Sequence, residues 1–394
     1  MSLDTCFWFR IVTSIADMTA RTSRSVWRVG DDPGRRKFVD LFGSRGDGLL
    51  LEAGGSLAGV TVAYETWGEL NADRTNAVLV LHALTGDSHA TGPAGPGHPA
   101  AGWWNGLIGS AAAIDTDQFF VVCPNVLGGC QGTTGPSSTA SDGLAYGSRF
   151  PLVTIRDQVA VEVALSDHLG IERWFGVVGG SMGGMRVLEW CVSQPHRVGR
   201  AAVLATGAAA TAEQIALCSM QIRAIRSDPD FAGGDYYSTD ATPTAGLALA
   251  RGIGHWGYRT AGELEDKFGR QAQDLEDPLK GGRFAVESYL GYQGDKLAQR
   301  FDPNSYVVLS AAMNLHDLGR GRGGVAMALT CIGAEVVVVG IATDRLYPIE
   351  LQRQLFDCIP GCRPLEVIES PSGHDGFLLE IDRVGDIMRS LLSH

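Results

Sequence analysis

Short unbroken apolar runs and longer stretches of helical periodicity alternate along most of the chain. Residues 77–82, 119–123, 201–204 and 335–341 are continuous runs rich in Val, Leu, Ile, Phe and Ala, bounded by polar or glycine-rich segments. Runs of that length and character are those of parallel strands buried on both faces. Residues 173–178 and 365–369 read as two further strands. Between them, residues 155–169 place Ile155, Val159, Val163 and Ala164 at helical spacing among acids and glutamine, and residues 185–192 also read as a helix. Strand alternating with helix predicts a doubly wound, mostly parallel sheet, an α/β fold. Upstream, residues 49–52 and the alternating stretch 60–66 are separated by Gly54-Gly55, which predicts an antiparallel hairpin.

From 206 to 319 the strand signal fades. Residues 212–226 and 243–253 read as helices, and 262–294 mixes charges, aromatics and glycines as helices joined by bends do. The sheet pattern then resumes, so this region reads as a helical lid inserted into the sheet domain. The predicted organisation is a poorly ordered extension over 1–47, a core over 48–205 and 320–394, and a lid over 206–319. Within the extension, the apolar patch at residues 6–12 is broken by Arg10 and followed by no leader-type cleavage site, and Met18 reads as an alternative start.

Composition narrows the function. The 394 residues carry a formal net charge of −12, which argues against nucleic acid and against an anionic membrane surface as partners. No run approaches the roughly 18 apolar residues a membrane span needs. The eight cysteines show neither a C-x-x-C pair nor metal-ligand spacing. They read as reduced, mostly buried thiols, which fits the cytoplasm. The glycine-rich segment 125–138 lacks the G-K-[ST] ending of a phosphate-binding loop and reads as a structured loop beside the active site.

Candidate chemistry centres on Gly179-Gly180-Ser181-Met182-Gly183, between a predicted strand and a predicted helix. G-x-S-x-G in that context is a nucleophile elbow, whose glycines admit close backbone approach around an exposed serine. Asp344 and His374 each follow a predicted strand. Taken singly, the first would be a turn residue or helix cap and the second a loop histidine. In the order Ser181, Asp344, His374, past the carboxyl ends of their strands, they form a nucleophile, an orienting acid and a base. The Leu84 N–H, in the loop after residues 77–82, and the Met182 N–H are the candidate oxyanion hole. His82 reads as structural.

Together, Leu81-His82-Ala83-Leu84-Thr85-Gly86, residues 125–138, Gly179-Gly180-Ser181-Met182-Gly183-Gly184, residues 317–324 and Gly373-His374-Asp375-Gly376 resemble the homoserine O-acetyltransferase family of the methionine pathway, on the α/β-hydrolase fold. The likeness runs from about residue 49 to near the C-terminus. It implies ping-pong acetyl transfer from acetyl-CoA, as co-substrate, to the γ-hydroxyl of L-homoserine, in a homodimer with no metal or bound cofactor. It further implies that Arg251 pairs with the acceptor carboxylate and Asp375 with its ammonium, with Thr85 and Tyr258 nearby. Arg320 and Arg322 either face CoA phosphates or belong to a solvated loop. Many members carry Gln where Arg186 stands, and the family includes enzymes that use succinyl-CoA or accept L-serine. An esterase with the same triad and a non-catalytic binding scaffold are the competing readings.

Overall fold

The computed structural model describes residues 27–43, 48–239 and 241–393. The apolar patch at residues 6–12 and Met18 lie outside them. Eight strands form one sheet: β1 (Lys37–Leu41), β2 (Val60–Trp67), β3 (Ala77–Leu81), β4 (Phe120–Pro124), β5 (Trp174–Gly180), β6 (Val198–Leu204), β7 (Glu335–Ile341) and β8 (Glu366–Ile368). Their spatial order is β1-β2-β4-β3-β5-β6-β7-β8. β2 runs antiparallel to both its neighbours, and the pairs from β4 to β8 are all parallel.

Strand periodicity divides the core. Leu79, Leu81, Val177, Val336 and Val338 pack on one face, against Val159 and Leu165 of α1 (Ile155–His168) and Val187, Leu188 and Trp190 of α2 (Met182–Ser193). Val78, Val80, Val178, Val337 and Val339 point the other way, as a period of two requires, against Val384, Ile387, Met388 and Leu391 of the C-terminal helix Ile381–Leu392. Burial on both faces explains why these strands read as unbroken apolar runs.

Two predictions about the N-terminal part need correction. Residues 49–52 do not form a hairpin with 60–66. Gly54 and Gly55, at φ 93° and 80°, turn the chain back at once, so Leu49–Leu50 pairs with Ser56–Leu57. That leaves Val60–Trp67 to pair with Lys37–Leu41 on one side and Phe120–Pro124 on the other. Residues 37–41, assigned to a poorly ordered extension, are therefore the edge strand of the sheet. The edge is short and largely exposed, which erases its hydrophobic signal.

Between β6 and β7 the chain builds α3 (Ala212–Arg226), α4 (Thr244–Tyr258), α5 (Ala261–Phe268), α6 (Ala285–Ala298) and α7 (Pro303–Asn314). α3 spans the residues its periodicity predicts, and Thr211 with Gln214 closes a capping box at its start. Leu247, Ala250, Tyr306 and Leu309 of these helices share a buried cluster with Leu84, Met182, Met185 and Tyr347. The helical segment thus docks over the carboxyl ends of the strands, where α/β sheets place their ligands. No helix among the described residues is long and apolar enough to cross a membrane.

Candidate active site

Ser181 occupies the turn between β5 and α2 at φ 56° and ψ −124°, a left-handed conformation that costs a non-glycine residue roughly 1–3 kcal/mol. The surroundings enforce it. The Ser181 N–H donates to the Leu204 carbonyl at 3.0 Å, and its own carbonyl accepts from Met185 N–H at 3.0 Å. A Cβ at Gly183 would stand 2.0 Å from the Leu81 carbonyl oxygen, so α2 can approach β3 this closely only through glycine. Leu81 lies opposite Gly179 in register, which puts the loop after β3 beside the serine.

Asp344 and His374 come from the ends of β7 and β8. The His374 Nδ1–H donates to Asp344 Oδ2 at 2.7 Å, and His374 Nε2 lies 2.9 Å from Ser181 Oγ. The other Asp344 oxygen accepts from the N–H groups of Leu346 at 2.8 Å and Tyr347 at 2.9 Å. The three residues are only 4–5% exposed. Burial by itself pulls the His374 pKa down, but the charge and hydrogen bond of Asp344, helped by Asp375, outweigh it and leave the pKa above its ordinary 6.5. Rings enclose the imidazole: Tyr347 stacks at 5.0 Å, with Phe377 at 5.5 Å and Tyr258 at 5.8 Å.

Leu84 and Met182 share the buried cluster above the sheet, and Met182 opens α2, where N–H groups are free of helical partners. His82 is structural, as predicted: its Nδ1–H donates to the Ala83 carbonyl at 2.8 Å and its Nε2 accepts from Val126 N–H at 3.1 Å. Burial and the nearby Arg186 charge push its pKa down to about 3, which keeps it neutral.

The residues assigned to an acceptor fall into two groups. Arg251 of α4 reaches Thr85 Oγ1 at 3.4 Å and lies 5.8 Å from the Tyr258 ring, which is itself 5.8 Å from that of His374. Asp375 is different. Its Oδ2 pairs with Arg259 at 3.2 Å, and Arg259 also binds Glu263 at 2.8 Å. Arg320 is held by Glu52 through two hydrogen bonds of 3.0 Å, and Arg322 by Glu189. Both guanidiniums are thus engaged by carboxylates of the fold. Sequence reasoning did not single out the fully buried Tyr306 and Tyr347, whose hydroxyls interact with Tyr258 and with Ser181 respectively.

Glu65, His89 and His98 are the described cluster whose donor atoms lie close enough to hold a metal. Their geometry does not suit one. The imidazoles stack at 3.9 Å and 11°, so their in-plane lone pairs run parallel instead of converging. His89 Nδ1 is bonded to Glu65 at 2.9 Å, and His98 Nε2 accepts from Arg35 N–H at 3.1 Å. The cluster ties the segment before β1 to the sheet.

Residues 76–381 match the family model of the α/β-hydrolase fold. Homoserine O-acetyltransferase of Thermobifida fusca (strain YX) is 58% identical over 93% of this chain and 96% of its own length. The chain belongs to the homoserine O-acetyltransferase family. Membership makes it an acyltransferase of methionine biosynthesis. The crystal structure of homoserine O-acetyltransferase from Bacillus anthracis superposes with a TM-score of 0.83 at 28% identity, covering 91% of this chain and 97% of that one. Esterase E22 superposes at 0.81 and 26%, over 91% and 99%. The homoserine O-acetyltransferase scaffold is therefore shared with hydrolases, and the site must account for transfer.

Proposed function

We propose that the protein transfers the acetyl group of acetyl-CoA to the γ-hydroxyl of L-homoserine through an acetyl-Ser181 intermediate. The observation that carries this reading is the 2.9 Å contact of His374 Nε2 with Ser181 Oγ, in a buried site next to a guanidinium. Ser181 Oγ attacks the thioester carbonyl and gives its proton to His374 Nε2. Asp344 stabilises the imidazolium. The oxyanion is received by the N–H groups of Leu84 and Met182. Collapse expels CoA with the proton from His374. The homoserine hydroxyl then gives its proton to the same nitrogen and attacks the acetyl-enzyme, regenerating Ser181.

Arg251 orients the acceptor by its carboxylate, which a guanidinium can bind through two parallel hydrogen bonds. Thr85 and Tyr258 flank it. Asp375 faces the ammonium while Arg259 holds one of its oxygens. The helical insertion over residues 206–319 is the cover that keeps water from the intermediate. The cysteines among the described residues are all free, which suits a reducing cytoplasm. The protein acts there as a homodimer without metal or bound cofactor.

A donor and acceptor panel tests the assignment. The purified protein, expected to have the mass of two chains by light scattering, is offered acetyl-CoA or succinyl-CoA with L-homoserine, L-serine or no acceptor. Rapid CoA release with acetyl-CoA and homoserine, giving O-acetylhomoserine by mass, is the expected result. Equal release without acceptor favours the esterase reading that the likeness to E22 suggests.

The rate also depends on pH. His374 must be neutral to accept a proton, and its pKa lies above 6.5. The acid limb of kcat/KM is therefore expected to rise through that elevated value, with a plateau only at higher pH. Asp344→Asn removes the charge that raises it. The limb then moves to lower pH, and kcat falls by about ten-thousand-fold. A limb that stays in place would separate Asp344 from the base.

A further inference from the structure

The loop that carries the Leu84 N–H is gripped from both sides. On the core side, the fully buried Arg186 bonds Glu162 Oε1 at 2.6 Å through Nη1 and donates to the His82 carbonyl through Nη2. Trp190 Nε1 donates to the second Glu162 oxygen at 2.7 Å. α1 and α2 therefore brace this guanidinium. On the other side, Arg300, which follows α6 in the helical insertion, donates from Nη1 to the Thr85 carbonyl at 2.9 Å. The Arg300 carbonyl in turn accepts from Gln131 Nε2 at 2.9 Å. Between the two arginines the Ala83 carbonyl accepts from His82 Nδ1–H at 2.8 Å and from Gly86 N–H at 3.0 Å.

A peptide unit is planar and trans, so its carbonyl and its N–H point in opposite directions. The Ala83 carbonyl and the Leu84 N–H belong to one unit. The Ala83 carbonyl is itself held by two donors, the His82 carbonyl belongs to the unit just before it and the Thr85 carbonyl to the second unit after it, so the short run is pinned at both ends and the Leu84 N–H has little freedom to swing. We propose that Arg300 is a positioning residue that, opposite Arg186, clamps residues 82–85 and aims the Leu84 N–H at the oxyanion, tying the helical insertion to the rate of the chemical step.

The location of Arg300 is costly without such a role. Arg300 is half-buried, and its pKa is lowered by burial, with the charge of Asp87 opposing and that of Arg251 adding to the effect. Arg251 holds the Thr85 hydroxyl while Arg300 holds the Thr85 carbonyl. One residue of the loop thus joins the acceptor-binding arginine to the clamp. The proposal rests on the acetyl-Ser181 reading and on Leu84 as an oxyanion donor.

The test compares wild type, Arg300→Met and Arg300→Lys, each checked for an unchanged melting temperature. Steady-state kinetics with acetyl-CoA and homoserine are read beside cleavage of p-nitrophenyl acetate and its thiono analogue, whose sulfur accepts hydrogen bonds poorly. Removing an oxyanion donor costs about 100- to 1,000-fold in kcat, so a misaimed donor is expected to cost roughly tenfold to a hundredfold. Arg300→Met should lower kcat by that factor with KM for homoserine little changed, and shrink the oxygen-to-sulfur rate ratio. Arg300→Lys, which can still donate to the carbonyl, should recover part of both. A folded Arg300→Met with normal kcat, or a lower kcat with an unchanged ratio, overturns the clamp. If Arg300→Met does not fold, Arg300→Lys alone decides by the same two readouts. A wild-type enzyme that labels at Ser181 but shows no discrimination against sulfur overturns the oxyanion assignment and the clamp with it, leaving the acetyl-serine reading intact.

Discussion

Replacing Ser181 with alanine is expected to lower acetyl-CoA-dependent product formation by about ten-thousand-fold or more while leaving the fold unchanged. The side chain removed is one hydroxyl, bonded to His374 at 2.9 Å. Its loss leaves no atom that can carry the acetyl group. Stability should not fall, because alanine is no worse than serine at φ 56° and the elbow is held by backbone bonds to Leu204 and Met185. Kinetics and a thermal melt of the same sample check both halves. Activity within tenfold of wild type in a folded Ser181→Ala protein would show that the acetyl group passes directly to the acceptor.

Arg251→Ala is the second large effect, and it should divide the reaction. A charge-assisted bidentate pair is worth about 2–4 kcal/mol, which corresponds to roughly 30- to 1,000-fold in kcat/KM for homoserine. The first half-reaction does not use the acceptor. Its rate, read as the initial burst of CoA release, is expected to stay within a few-fold of wild type, and cleavage of a simple acetyl ester should persist. Arg251→Lys should rescue poorly, since an ammonium cannot form the two-pronged contact. Unchanged kcat/KM for homoserine in Arg251→Ala would remove the carboxylate assignment, and an equal loss in the burst would mean that the variant had disturbed the triad instead.

What the sequence disclosed follows from the range of each interaction. The elbow was legible because its glycines, serine and flanking strand and helix are contiguous. Asp344 was legible because it follows the unbroken apolar run of β7, and His374 because it follows the last predicted strand and completes the order Ser181, Asp344, His374. The extent of α3 was legible because Thr211 and Gln214 cap it locally. The true partner of Leu49–Leu50 was obscured by two candidate strands competing for one turn, and β1 by its exposed edge position. Arg300 meets Thr85 across 215 residues of chain, and no periodicity encodes a contact of that kind. Asp375 adjoins His374 in the chain, but its pairing with Arg259 depends on how the end of α4 docks over the loop after β8. Arg186 stood out only as a departure from the family. The structure supplies its context, a buried link between Glu162 and the His82 carbonyl.

In the proposed reaction an acetyl group resides on Ser181 between the two half-reactions. Rapid mixing of the protein with acetyl-CoA in the absence of acceptor, followed by acid quench and peptide mass mapping, tests it most directly. One acetyl group per chain is expected on the peptide containing Ser181, formed with a burst of CoA and discharged to O-acetylhomoserine when L-homoserine is added. An acetyl group on another residue, or product formed at full rate with no acetylated peptide at any time, would contradict it.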